Sequence, residues 1–445
     1  MAGHRRARMP PSTARATGKA RRRMPGTIAP VSTPDDTTLR NAIAAHNAGR
    51  LTEAEVGYRR ALRKRPTDAG ALYGLGLLYF HQGSMDAAIQ HVSRSLVFAP
   101  ANGRAWNTLG SMYMSTGLTD EAKQAYGRAA SVVPGMSEAW YNLGICHRNS
   151  GDIDKALQCL RTAASCDAPY PQSYEALASL LYQQSRGAEA AEVYQQWLAR
   201  EPDNAKARHM AAATKNATSD EPILRASESY VREHFDAAAA SFDRNLAQLE
   251  YRVPELVSAA LAQAGSRGGV QQAGVAAAAT ATPTFGAVLD AGCGTGLCGP
   301  LLRPQCRRLV GADLSPKMLD RARERGCYDE LAAAEIGEYM RSSVEGFDAI
   351  VCADTLVYFG ALDDPFASVR SALRAAGVLI FTVEALEASS GADHKLTSTG
   401  RYAHSEDYLR RSLSHAGFEL EKITREVLRQ ERASPVQGFL AVARW

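Results

Sequence analysis

The chain has 445 residues, enough for two or three domains, and 45% of them are hydrophobic. No apolar run is long enough to span a bilayer, so a membrane partner is not expected. Net charge is +4, but residues 1–34 hold eight Arg and Lys and no acid, leaving −4 on the rest, which argues against nucleic-acid binding.

Eight cysteines are scattered without a C-x-x-C pair, so no metal site or redox motif is expected. A reduced, cytoplasmic setting fits that usage. Residues 1–34 are rich in Arg, Ser, Thr and Pro and lack hydrophobic periodicity. The pattern predicts a disordered basic N-terminus. It suits a transit peptide, or a start site at Met24.

Residues 35–204 repeat with a period of 34. Pro66, Pro100, Pro134 and Pro202 keep the step, and Pro169 sits one place off it. Trp106, Leu109, Gly110, Tyr113, Gly117, Ala122, Tyr126 and Ala129 define the fullest copy, and the neighbouring units match it slot by slot. Small slots let paired helices approach, large slots fill the gaps, and proline ends each second helix. Five units in register resemble the tetratricopeptide repeat. The resemblance implies an all-α solenoid that binds a protein or peptide partner. Helical spacing predicts a mixed, partly aromatic binding face through Tyr73, Leu77, Phe80, Asn107, Met114 and Tyr141.

Residues 205–264 predict a connector followed by helices. The part 205–220 is polar and Ala-rich; Tyr230, Phe235, Phe242 and Leu246 then recur at helical intervals. Pro254 opens a further helix, with Tyr251 and Arg252 just ahead of it. Residues 265–284 are Ala, Gly and Thr and predict a flexible insert.

Phe285 to Gly296 read F-G-A-V-L-D-A-G-C-G-T-G. The apolar run predicts a strand, the three glycines a tight turn, and the segment after Leu297 a helix. Such a turn suits a nucleotide at the edge of a parallel sheet. Gly294 to Gly299 also fit the dinucleotide fingerprint, which leaves an NAD-dependent oxidoreductase as an alternative. Asp290 at the strand end disfavours a pyrophosphate but suits a cationic ammonium or sulfonium. The order Asp290, Gly292, Gly294, Gly296 resembles the first motif of the class I S-adenosylmethionine-dependent methyltransferases.

Strand and helix then alternate through residues 285–445, predicting a Rossmann-like doubly wound sheet. The predicted strands are 286–290, 308–312, 331–334, 347–352 and 377–383, with a closing hairpin from 418–428 and 436–445. Asp313 follows the glycine turn at the distance suited to ribose hydroxyls, with Leu314 beside it. The resemblance implies seven strands, the cofactor S-adenosyl-L-methionine, Glu335 at the adenine amine, and Ala353 near the transferred methyl. Residues 384–402 read as an irregular substrate loop. Tyr402 and His404 follow that loop, which makes His404 a candidate base and Tyr402 a candidate orienting hydroxyl. The stretches Phe235-Asp236, Phe242-Asp243 and Gly400-Arg401-Tyr402-Ala403-His404-Ser405 resemble a group of bacterial tetratricopeptide-containing methyltransferases.

The expected protein is therefore a methyltransferase fused to a recruiting solenoid. The acceptor is open. The alternative from another class is an adaptor whose nucleotide site is not catalytic.

Overall fold

The computed structural model describes residues 37–214, 224–268, 283–431 and 434–445. The expected disordered N-terminus, residues 215–220 of the connector and most of the expected insert lie outside these residues. The chain divides into two compact units, Met1–Leu177 and Ala178–Trp445.

The first unit is helical. Its helices pair as α1 (Thr37–Asn47) with α2 (Leu51–Lys64), α3 (Ala69–His81) with α4 (Met85–Phe98), α5 (Gly103–Ser115) with α6 (Thr119–Val132), and α7 (Ser137–Asn149) with α8 (Ile153–Ser165). A fifth pair, α9 (Gln172–Gln183) and α10 (Gly187–Arg200), carries the repeat onward and contains the division between the units. Each first helix stops at the same slot. Gly49, Gly83, Gly117 and Gly151 there take φ of 77 to 80°, and Ser185 fills the fifth slot at φ 59°. The periodic residues form the core: Ala42, Tyr58, Leu72, Leu75, Val92 and Leu109 are all buried. Asn142 donates to Asn107 at 3.0 Å and Tyr73 hydrogen-bonds Thr108 at 2.9 Å, so neighbouring first helices also lock through polar pairs. These bonds take Tyr73 and Asn107, both expected on the binding face, into the scaffold.

The expected connector is partly a helix. Residues Ala205–Thr214 form α11, which buries Ala207, His209, Met210 and Ala211. His209 bonds the Gly400 carbonyl at 2.8 Å and stacks on Tyr230 at 4.2 Å. These bonds lie within the second unit, which begins at Ala178 and not after residue 204.

In that unit α12 (Glu228–Ala238), α13 (Phe242–Gln248) and α14 (Val253–Gly268) precede the sheet. Helix α14 reaches four residues into the expected insert. The strands are β1 (Phe285–Ala291), β2 (Cys306–Asp313), β3 (Glu330–Ala333), β4 (Phe347–Cys352), β5 (Leu373–Ala385), β6 (His394–Leu396), β7 (Tyr402–His404), β8 (Glu419–Glu431) and β9 (Ser434–Arg444). Interspersed helices are α15 (Gly299–Leu302), α16 (Pro316–Glu324), α17 (Ile336–Ser342), α18 (Asp363–Ala372) and α19 (Glu406–His415).

Strands β3, β2, β1, β4 and β5 pair in parallel in that order. Strand β9 then pairs antiparallel with β5, and β8 with β9. That path supplies the seven expected strands. Two more were not expected. Residues Glu384 and Ala385 at the tip of β5 pair with Ala403 and His404 of β7, and β6 folds back on β7. So part of the expected irregular loop is a short hairpin that extends the sheet edge.

The strand period of two feeds two cores. Ala287, Leu289 and Ala291 of β1 pack toward Met340 of α17 and Phe366 of α18. Val288 packs toward Val257 and Leu261 of α14 on the opposite face. The sheet is thus doubly wound, with its parallel strand ends converging on one edge. Among the described residues, no helix is long and apolar enough to cross a membrane.

Candidate active site

One cavity opens at that edge, with about 1250 Å³ of atom-free space including its mouth. Asp290, Gly292, Gly294, Asp313, Leu314, Glu335 and Ala353 all line it. These are seven of the eight positions singled out for cofactor contact. The eighth, Gly296, is not in the lining. Its φ of 81° closes the turn, and a Cβ there would press on Tyr328 at 2.9 Å. Gly296 therefore shapes the turn from behind.

The turn places two carboxylates differently. Gly292 takes φ 77°, and any Cβ there would collide with Thr355. Its N–H and that of Cys293 donate to the Ala312 carbonyl at 2.8 and 3.1 Å, pinning the turn to β2. Asp313 at the end of β2 is tethered by the backbone: Gly294 N–H donates to Oδ2 at 2.9 Å and Ser315 N–H to Oδ1 at 2.8 Å. Asp290 is fully buried. Tyr328 donates to its Oδ2 at 2.7 Å, while Oδ1 has no partner. Burial pushes the Asp290 carboxyl up to about 7; the Tyr328 bond opposes that rise and nearby Asp313 adds to it.

The preceding helices roof the cavity. Phe235 and Phe242 line it and meet edge to face at 5.9 Å. The aspartates next to them make the ties. Asp236 accepts from Ser315 Oγ at 2.6 Å, and Asp243 accepts from Thr295 Oγ1 and pairs with Arg325. Each Phe-Asp dipeptide thus puts a ring in the cavity and anchors its helix to the strand-end turns. Tyr251 lines the cavity as well; Arg252 does not, and its N–H donates to the Leu428 carbonyl. Glu335 caps α17 through Oε2 to the Glu338 N–H at 2.9 Å, and Oε1 meets Arg225 at 3.3 Å.

At the β4 end the cavity meets a charged network absent from the sequence reading. Asp354 has φ 51°, an unusual value for a residue with a side chain. Its N–H donates to Thr382 Oγ1 at 2.9 Å, and its Oδ2 accepts from Arg429 at 3.0 Å. Arg429, 2% exposed, also bonds Glu431 at 2.7 Å and pairs with Glu384. Arg401 meets Glu431 at 2.8 Å and Glu384 at 3.2 Å. Arg401, Arg429, Asp354 and Tyr358 all line the cavity. Arg401 lies in the Gly400–Ser405 stretch, where nothing local marks it for this network. Arg429 carried no mark that set it apart from Lys422 and Arg425 in the same strand-like run.

Tyr402 and His404 do not line the cavity. Both are buried, 1% and 0% exposed. His404 Nε2 lies 2.9 Å from the Phe359 carbonyl and 3.1 Å from that of Gly360, so this nitrogen carries the proton. Nδ1 is buried without a partner. Burial pulls the imidazole down to about 4. The strand pairing of β7 with β5 turns both side chains into packing against the 359–360 turn and away from the cavity, contrary to the base assigned to His404.

Residues 288–377 match the family described as a methyltransferase domain. Residues 39–103, 113–180 and 173–206 match tetratricopeptide repeats. The chain joins tetratricopeptide repeats to a methyltransferase domain. It is 34% identical over 124 residues to methyltransferase-like protein 27 of Homo sapiens, covering 27% of this chain and 45% of the relative. It is 32% identical over 99 residues to magnesium-protoporphyrin O-methyltransferase of Rhodobacter capsulatus, covering 22% and 44%. The chain thus spans less than half the length of these curated relatives. A solved S-adenosylmethionine-dependent methyltransferase from Mesorhizobium loti aligns at TM-score 0.30 and 20% identity, over 36% of this chain and 91% of that one.

Proposed function

We propose that the methyltransferase domain uses S-adenosyl-L-methionine to methylate an acceptor, and that the repeats recruit a protein partner or substrate. One observation carries the cofactor: Asp290 lines the cavity, and its buried Oδ1 has no partner. An unsatisfied buried acceptor calls for a donor. The ammonium of the cofactor supplies one, whereas a pyrophosphate would place like charge there.

The other roles follow from the lining. Asp313, held by two backbone N–H groups, would hold the ribose hydroxyls. Leu314 and Glu335 would hold the adenine. Gly292 and Gly294 let the backbone approach closely. When bound, the cofactor supplies a methyl group on a sulfonium that leaves as a neutral thioether. The chain's residues position the partners, an effect worth up to about 7–11 kcal/mol. Phe235, Phe242 and Tyr251 exclude water. Asp354, beside Ala353, has a carboxyl raised by burial and held in check first by Arg429. In this reading it would accept a hydrogen bond from the acceptor's protonated atom.

A thermal-shift titration with S-adenosylhomocysteine tests the site. A ligand at about 100 times its Kd stabilises the native state by about 2.7 kcal/mol. Wild type is expected to show such a shift and Asp290→Asn to lose it. An equal shift in both would remove Asp290 from the site.

A further inference from the structure

The cavity walls carry more negative charge than the cofactor uses. Among the described residues five carboxylates and three guanidiniums line the cavity, and no lysine does. S-adenosyl-L-methionine has an ammonium, a sulfonium and one carboxylate, a single net positive charge. Bound there, it leaves one wall carboxylate in excess. Each guanidinium on the wall already meets a carboxylate. Arg225 meets Glu335 at 3.3 Å. Arg401 meets Glu384 and Glu431, and Arg429 meets those two and Asp354. An anionic acceptor would have to displace one of these pairings.

The excess falls at Asp354. Its network sets three carboxylates against two guanidiniums, and of the three carboxylates only Asp354 lines the cavity. Of the other wall carboxylates, Asp290, Asp313 and Glu335 have cofactor roles, and Glu228 is exposed and meets Arg232 at 3.8 Å. Aromatic rings share the wall with Asp354. Phe235 meets Tyr358 edge to face at 5.5 Å and Phe242 at 5.9 Å, and all three line the cavity. Tyr251 lines it too. Burial pushes its hydroxyl well up, Asp354 adds most among the charges and Asp290 adds as well, so this ring stands in the field of both carboxylates. A carboxylate among aromatic rings suits an ammonium, through the charged hydrogen bond and the negative ring faces.

We propose that the acceptor is an amine, held as its ammonium by Asp354 and walled by the rings of Tyr358, Phe235 and Tyr251. The inference rests on the methyl-transfer reading above and names its substrate class. The ammonium gives one proton to Asp354. The nitrogen lone pair then forms a bond to the methyl carbon, and the carbon–sulfur bond breaks with its electron pair left on sulfur. The products are an N-methyl ammonium and S-adenosylhomocysteine. An alcohol acceptor would leave the excess charge unmet, and a carboxylate would add to it.

The test is calorimetric titration of the full-length protein, saturated with S-adenosylhomocysteine, with phenethylamine, a capped lysine, 3-phenylpropionate and 2-phenylethanol. At least one amine is expected to bind about tenfold or more tightly than both the acid and the alcohol. Preference for phenethylamine points to a small amine, and preference for the capped lysine to a protein side chain. Asp354→Asn keeps the side chain's shape, and asparagine tolerates the φ of 51° at this position. It is expected to abolish the amine preference while S-adenosylhomocysteine affinity stays within about twofold. Acid or alcohol binding as tightly as the amines, an amine preference unchanged in Asp354→Asn, or no binding of either amine overturns the proposal and leaves the cofactor reading standing. No binding of S-adenosylhomocysteine to wild type overturns the methyl-transfer reading, and this inference with it.

Discussion

Tyr328 donates its hydroxyl to Oδ2 of Asp290 at 2.7 Å, and no other side chain among the described residues bonds that carboxylate. The bond favours the ionised form and works against burial, which holds the carboxyl near 7. Tyr328→Phe removes that support, so the Asp290 carboxyl rises further. Holding the ligand's ammonium requires the ionised form. In wild type, affinity for S-adenosylhomocysteine falls as pH drops below about 7, approaching tenfold per unit. In Tyr328→Phe the midpoint moves to higher pH, and affinity at neutral pH falls by about tenfold, near the 1–3 kcal/mol of a lost bond to a charged group. Calorimetric titrations from acid to mildly alkaline pH measure both shifts.

Arg429 sits among three carboxylates, Asp354, Glu384 and Glu431. Burial alone would raise the Glu431 carboxyl, but Arg401 and Arg429 bring it down to about 2. Its unfolded value is about 4.3. A lowered folded value gives stability that is present above about 4 and lost as pH falls toward 2. Arg429→Met strips that pairing and leaves buried like charges, a loss of about 3–5 kcal/mol. The sign of the pH dependence then reverses at Asp354, whose carboxyl burial already raises and which loses Arg429, while Glu384 and Glu431 keep Arg401. The variant should be most destabilised at neutral pH and recover on mild acidification. Thermal melts of both proteins across that range check the reversal.

His404 offers a third outcome. Its protonated nitrogen is committed to the Phe359 and Gly360 carbonyls. Glutamine can donate to the same oxygens. His404→Gln is expected to leave S-adenosylhomocysteine affinity within about twofold, at a stability cost of about 1–2 kcal/mol. Once an acceptor is in hand, the pH–rate profile of the variant should match wild type. Loss of one ionisation from that profile would return His404 to the role of base.

Gly292→Ala tests the turn. Its φ of 77° and the approach of Thr355 leave no room for a methyl group. The expected result is destabilisation of about 1–3 kcal/mol together with loss of ligand binding. Gly296→Ala is equally strained but lies behind the cavity, so its stability should fall while ligand affinity falls less. Chemical denaturation paired with calorimetry separates the two.

The parts of this fold written in local chemistry were legible. The 34-residue step shows in the proline and glycine slots, because each repeat must end its helices the same way. The order of Asp290, the glycines and Asp313 shows because strand, turn and strand are contiguous. The Phe-Asp dipeptides were visible, but not that each aspartate bonds a strand-end residue more than fifty positions away. The charged network was illegible for the same reason: Arg429 meets Asp354 across 75 residues. Helix α11 was hidden by its composition, since Ala-rich polar sequence fits a connector and a packed helix alike. The β6–β7 hairpin was hidden by brevity, and it turned Tyr402 and His404 inward.

Calorimetric titration of the full-length protein with S-adenosylmethionine, S-adenosylhomocysteine and NAD, beside an Asp313→Ala control, tests the central claim most directly. Both adenosyl-sulfur compounds are expected to bind, at least about tenfold more weakly in the control, and NAD is expected not to bind. Binding of NAD alone, or of none of the three, would contradict it.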